Sequence, residues 1–220
     1  MSQKSFDEQI VAGVAEEIRR LRKVQSMSVQ KVADGTAAAG NPISRTTIAD
    51  MELGRRKYIT AGELMTIAYV LNVPPVSLVF PGPYQNDTTV EMLPGVSATH
   101  TYAAQWLGGH LGGPPGDSTE EQRKRFRDNT SALRTAFEIW DVEQEVNTLV
   151  ARMNNTEPTS PEYQFLVDQV VERVRRVQRL LGGDSEGAKP PEPGARAWSL
   201  DADGQPVVKP VTQRGVGDGG

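Results

Sequence analysis

Residues 43–56 read ISRTTIADMELGRR, and the way this stretch folds decides how the rest of the chain is read. Ser44 has the side chain and the position to accept an orphan backbone N–H at a helix start, and Gly54 stands where a left-handed residue stops a helix. Between them, Ile48 and Met51, with Leu53, recur at helical spacing and point to a core. Arg45, Thr46 and Ala49 fall on a different face with small or hydrogen-bonding side chains. Such a face suits a major groove, where Arg forks onto guanine and Thr offers a hydroxyl and a methyl. The same residues also suit an ordinary amphipathic helix with a solvated Arg and two Thr.

Working outward, Ser5 and Glu8 have the spacing of a capping box, so a first helix is expected from Phe6 to about Lys23, with Ile10, Val14, Ile18 and Leu21 as its apolar stripe. Ser28 caps a second helix, whose Val32 and Ala33 face inward and whose Gln30 and Lys31 lie at the end where free backbone donors favour a phosphate. Gly40-Asn41-Pro42 breaks the chain before the stretch at 43–56. Beyond the basic run Arg55, Arg56 and Lys57, a second capping box at Thr60 and Glu63 opens a fourth helix with Leu64, Ile67, Ala68 and Leu71 inward. Pro74-Pro75 starts a short fifth helix carrying Val76, Leu78, Val79 and Phe80, and Pro81-Gly82-Pro83 closes the unit.

Taken in order, AEEIRRLRKVQSMSVQKVA, PISRTTIADMELGRR and TAGELMTIAYVLNVPPVSLVFPG resemble the helix-turn-helix domain of the lambda-repressor and Cro class, the XRE family, over residues 6–82. The resemblance implies a five-helix DNA-binding domain of a transcriptional regulator, in which the third helix (about 44–53) enters the major groove and the second lies across the backbone. It gives Ser44, Arg45, Thr46 and Thr47 as base-contacting residues, and Gln30, Lys31, Arg55, Arg56 and Lys57 as phosphate-contacting ones. It also implies an ion pair between Arg22 and Glu52. Val29 and Asp50 depart from the residues common in the class, and the turn between helices two and three is longer than in its shortest members. The regulator is expected to repress by occupying a promoter.

The rest of the chain divides unevenly. Residues 83–116 have no sustained period and are rich in Gly and Pro, which reads as a connector containing one short strand in VEMLPGV and a helical turn or two near Tyr102, Trp106 and Leu107. Ser118 with Glu121 opens a long helix to about Met153. A second helix from Ser160-Pro161 follows, with Tyr163, Val167, Val170, Val174, Val177 and Leu181 in a heptad pattern. A hairpin over 117–182 is expected, exposing enough apolar surface that it must pack on another copy or on the N-terminal domain, with a homodimer favoured over packing within one subunit. Residues 183–220 are expected to be disordered, since the 39 residues from Gly182 onward hold nine Gly and five Pro; Trp198 there suits an anchor for a protein partner, although a lone tail Trp more often reflects chance or weak packing. The expectation is thus an all-α chain of four parts: 1–82, 83–116, 117–182 and 183–220.

Charge and composition narrow the function. Residues 1–60 carry ten Lys and Arg against seven Asp and Glu, while the remaining residues carry 14 against 21, so a chain of net charge −4 has its polyanion-binding side at the N-terminus. The absence of cysteine excludes disulfides, thiolate nucleophiles and Cys-ligated zinc. His100 and His110, ten apart in the connector, form no metal motif, and no phosphate or dinucleotide loop occurs. No enzyme activity, metal or cofactor is expected, and without an apolar run of spanning length or a secretion signal the expected location is cytoplasmic. The competing expectation is a protein-interaction adaptor or antitoxin-like partner acting through the C-terminal helices.

Overall fold

The computed structural model describes residues 5–85, 88–111, 113, 115–182, 199–200 and 206–207. Its described residues are mostly helical: α1 (Phe6–Val24), α2 (Val29–Ala38), α3 (Arg45–Glu52), α4 (Ala61–Val70), α5 (Pro75–Val79), α6 (His100–Leu107), α7 (Glu120–Met153) and α8 (Pro161–Leu180). Two short antiparallel sheets interrupt the all-α expectation, one of β1 (Thr89–Leu93) and β2 (Val96–Thr99), the other of β3 (Ser199–Leu200) and β4 (Pro206–Val207). The chain divides into two compact units between Thr130 and Ser131.

In the first unit, hydroxyl caps set the helix starts. Ser5 and Glu8 exchange side-chain and backbone bonds at α1, Ser28 accepts the N–H of Lys31 at α2, Ser44 that of Thr47 at α3, and Thr60 pairs reciprocally with Glu63 at α4. Each cap of this kind contributes about 1 kcal/mol. The five helices bury one apolar cluster in which Ile18, Val32, Ile48, Ile67, Leu71 and Leu78 have no exposed surface. Gly54 ends α3 at φ +68°, in the left-handed region a glycine stop requires, while Leu53, beyond the last turn, is 61 % exposed and takes no part in the core.

The segment expected as a connector contributes a second cluster to this unit. Pro94-Gly95 turns the chain so that β1 and β2 pair with Leu93 opposite Val96, and Thr99 caps α6. Phe80, Met92 and Ala103 are buried together, with Ile10, Val79, Tyr102 and Trp106 packed against them. The compact unit therefore extends beyond residue 82, because a short hairpin buries one apolar face only by packing it on helices already present.

In the second unit, α7 and α8 form the expected antiparallel hairpin, with Val142, Val146, Val150 and Met153 packed against Leu166, Val170, Val174 and Val177. The cap of α7 lies one residue later than the sequence suggested: Thr119 and Gln122 form the box, so the helix starts at Glu120. Leu181, the last heptad residue, lies past the end of α8 and is 46 % exposed. The tail from 183 onward, Trp198 included, lies outside the described residues apart from the two short strands. Among the described residues no helix is long and apolar enough to cross a membrane.

Candidate nucleic-acid interface

The place of α3 depends on the turn before it, and a buried threonine fixes that turn. Thr36 has no exposed surface; its hydroxyl donates to the Ala33 carbonyl at 2.8 Å and accepts the N–H of Ile43 at 2.9 Å. Gly40 turns the chain at φ +85°, and the Asn41 amide donates to the Thr66 hydroxyl at 2.9 Å. The longer turn is thus bonded at both ends, so its extra length does not leave α3 free to swing against α2. The signal in the sequence was a polar residue four positions after Val32, on the stripe that should have been apolar.

Arg22 sets the third constraint. Its guanidinium is bidentate on Glu52, Nε donating to Oε1 at 2.6 Å and Nη2 to Oε2 at 2.7 Å, and Nη1 donates to the Met27 carbonyl at 2.7 Å. One side chain therefore ties the end of α1 to the end of α3 and to the entrance of α2. Both partners are nearly enclosed, and the Glu52 hydrogen bond raises the Arg22 pKa against the opposing effect of burial.

On this frame α3 turns Ile48 and Met51 inward and leaves Arg45 and Thr46 exposed. The cap occupies Ser44 and Thr47 with each other: the Thr47 N–H donates to Ser44 Oγ at 3.0 Å, and the two hydroxyls lie 2.9 Å apart. The four residues expected to touch bases thus fall into two kinds, a locally bonded pair and a projecting pair. Arg45 makes no ion pair or hydrogen bond among the described residues, and Lys31, in the first turn of α2, makes no side-chain bond either.

The other side chains expected at phosphates have protein partners. Arg55 reaches back to Asp50 at 3.2 Å, Lys57 to Glu8 at 3.1 Å, and the Gln30 amide donates to Asp34 at 2.7 Å. These are exposed contacts worth roughly 0–1 kcal/mol each, which a phosphate can replace at small cost. Arg56 is different. Its Nη1 donates to Glu63 Oε1 at 2.6 Å, its guanidinium lies 4.7 Å from the Tyr58 ring centroid, and only 18 % of its side chain is exposed. The Glu63 hydrogen bond raises the Arg56 pKa. Burial pushes Glu63 upward, but the bonds from Arg56 and from the Thr60 backbone outweigh it and hold the carboxyl below its ordinary value. Glu63 was read from the sequence only as half of a capping box; its second oxygen serves as the anchor of the basic loop.

Two capped helix starts thus each carry a cation that has no partner among the described residues, beside small hydroxyl-bearing side chains. No protein-family model, curated protein or solved structure matches the chain.

Proposed function

We propose that the chain is a sequence-specific DNA-binding transcriptional regulator, a repressor of the helix-turn-helix kind that residues 6–82 resemble, working as a homodimer through 117–182. The observation that carries this reading is the pair of cations without partners among the described residues, Lys31 and Arg45, in the first turns of α2 and α3, in a unit whose other arginines next to α3 have carboxylate partners. A cation without a protein partner loses no existing bond when it takes a phosphate or a base edge, and a helix start adds its own N–H groups. In this reading Arg45 and Thr46 read bases, Ser44 and Thr47 hold the start of α3 in shape, and Lys31 sets the phosphate register, with Gln30, Arg55 and Lys57 exchanging their weak partners. Arg56, clamped by Glu63 and Tyr58, acts chiefly by shaping the loop after α3.

The competing reading, an adaptor or antitoxin-like partner acting through the C-terminal helices, draws on the exposed Leu133, Trp140 and Phe165. Selection of bound fragments from random DNA, followed by titration of the selected site and its single-base variants at several salt concentrations, separates the two. Arg45→Ala is expected to cost about 1–3 kcal/mol at one base pair per half-site and to relax the preference there, whereas Lys31→Ala weakens all variants alike and lowers the salt slope by about one. If no sequence is enriched, or if neither substitution changes binding, the adaptor reading replaces this one.

A further inference from the structure

Helix α7 carries a second apolar row besides the one that packs against α8. Val142, Val146, Val150 and Met153 face α8. Leu133, Phe137 and Trp140 recur at four and three residues on a face that, at 3.6 residues per turn, lies on the order of 150° around the helix from the first. Leu133 is 45 % exposed and Trp140 59 %, and the next position in the row, Gln144, is uncharged.

Charge supplies a second, independent observation. Arg134 and Asp141 flank this row on one side, seven residues apart, and they are the charged side chains of α7 that have no partner among the described residues. The heptad of α8, by contrast, is used inside the hairpin, where Val170, Val174 and Val177 have no exposed surface.

We infer that the Leu133, Phe137 and Trp140 face is a seam between two copies of this chain, with the two α7 helices antiparallel about a two-fold axis between residues 138 and 139. In that register Phe137 of each copy meets Trp140 of the other, and Leu133 meets Gln144. The same register places Arg134 of each copy beside Asp141 of the other, so four charges without partners become two ion pairs. A parallel alignment sets Asp141 beside Ala136 and leaves all four charges unpaired. Opposite charges placed symmetrically about one axis are self-complementary, as a two-fold interface requires, and that identifies the occupant as a second copy. The seam deepens the self-association in the proposed function and rests on that part alone. It is read by oligomeric state and the DNA reading by binding, so either can fail without the other.

The test uses the full chain in sedimentation equilibrium, at concentrations on the order of tens of micromolar. The unmutated chain is expected to be a dimer. Arg134→Glu and Asp141→Arg should each raise the dissociation constant about tenfold, and the double reversal should recover most of the loss. Trp140→Lys should give a monomer of unchanged helix content, because Trp140 contributes nothing to the hairpin core. Since the chain has no cysteine, orientation can be read by cross-linking. Leu133→Cys with Gln144→Cys should form an intermolecular disulfide on oxidation. Within one helix these positions lie roughly 16 Å apart, too far for a bond. Leu133→Cys alone should not cross-link. A monomeric unmutated chain, a dimer indifferent to Trp140→Lys, a double reversal without recovery, or cross-linking by Leu133→Cys alone would each overturn the seam.

Discussion

Two ion pairs close at the same distance in the two units of this chain and serve different purposes. Arg22 meets Glu52 at 2.6 Å in the five-helix unit, with 12 % and 8 % of the side chains exposed; Arg176 meets Glu138 at 2.6 Å across the hairpin, with 50 % and 41 % exposed. Short helices such as α3 have few core residues with which to hold an angle, so a bidentate, enclosed charge supplies the direction that two or three apolar contacts lack. Long paired helices have a strip of eight buried side chains, most of them valine, to set their register, and their surface charges only decorate it. Burial, not distance, should therefore separate what the pairs are worth.

The largest effect expected from this difference is at Arg22. Replacing it with Met strands the Glu52 carboxylate in an enclosed site and also removes the donor to the Met27 carbonyl, at a cost of about 3–5 kcal/mol. Replacing both partners, as Arg22→Met with Glu52→Leu, should recover a large part of that. Hydrogen exchange of the α1 and α3 amides reads both variants without reference to the second unit. Losses that simply add would show that the pair has no special character and that α3 is held by packing.

A pair of intermediate burial sharpens the comparison through pH. The Glu63 carboxyl is held below its ordinary value by Arg56 and by Thr60, so the folded state binds its proton more weakly than the unfolded chain does. The resulting stability is fully present above the unfolded carboxylate value of about 4.3 and is lost as pH falls through the lower folded value. Exchange protection around the Arg56 loop and the start of α4 should fall on acidification in that window. Glu63→Gln should lower protection at neutral pH and abolish that particular acid step; an unchanged acid step in this variant would assign it to another group.

How much could be read in advance follows the same physical division. Caps and stripes are local, so the starts of α1 to α4 and most of the inward residues were legible: Ser5, Ser28, Ser44 and Thr60 each act within one turn. Thr36 was not legible as a turn anchor, because its partner, the Ile43 N–H, is set by tertiary folding and not by spacing. The β1–β2 hairpin was half legible: VEMLPGV was read as one strand, but it runs through β1 and the Pro94-Gly95 turn, and the strand after that turn, VSAT, has too few apolar residues to stand out. The candidate site divides similarly. Side-chain type indicated which residues could meet DNA, yet it could not distinguish Arg45, which has no partner among the described residues, from Arg56, which Glu63 holds, since that difference depends on what the fold brings alongside.

The smallest expected effect lies at the exposed end of the comparison. In a double-mutant cycle of Arg176→Ala and Glu138→Ala, the coupling should be about 0.2–1 kcal/mol, because two long side chains held in water lose conformational freedom for a screened attraction. It should shrink as salt is raised from about 0.01 M to 1 M, over which the screening length contracts from about 30 Å to 3 Å. The hydrogen bond of the Arg176 guanidinium to Glu138 raises the Arg176 pKa, yet so exposed a group carries little of that into stability. Exchange of the α8 amides provides the readout, since Val174 and Val177, on either side of Arg176 along the helix, are buried and exchange only when the hairpin opens. A coupling above about 2 kcal/mol, or one that salt leaves unchanged, would place the pair in the same class as Arg22 and Glu52. Distance would then outrank burial, and the hairpin would owe its register to charge as well as to its buried strip.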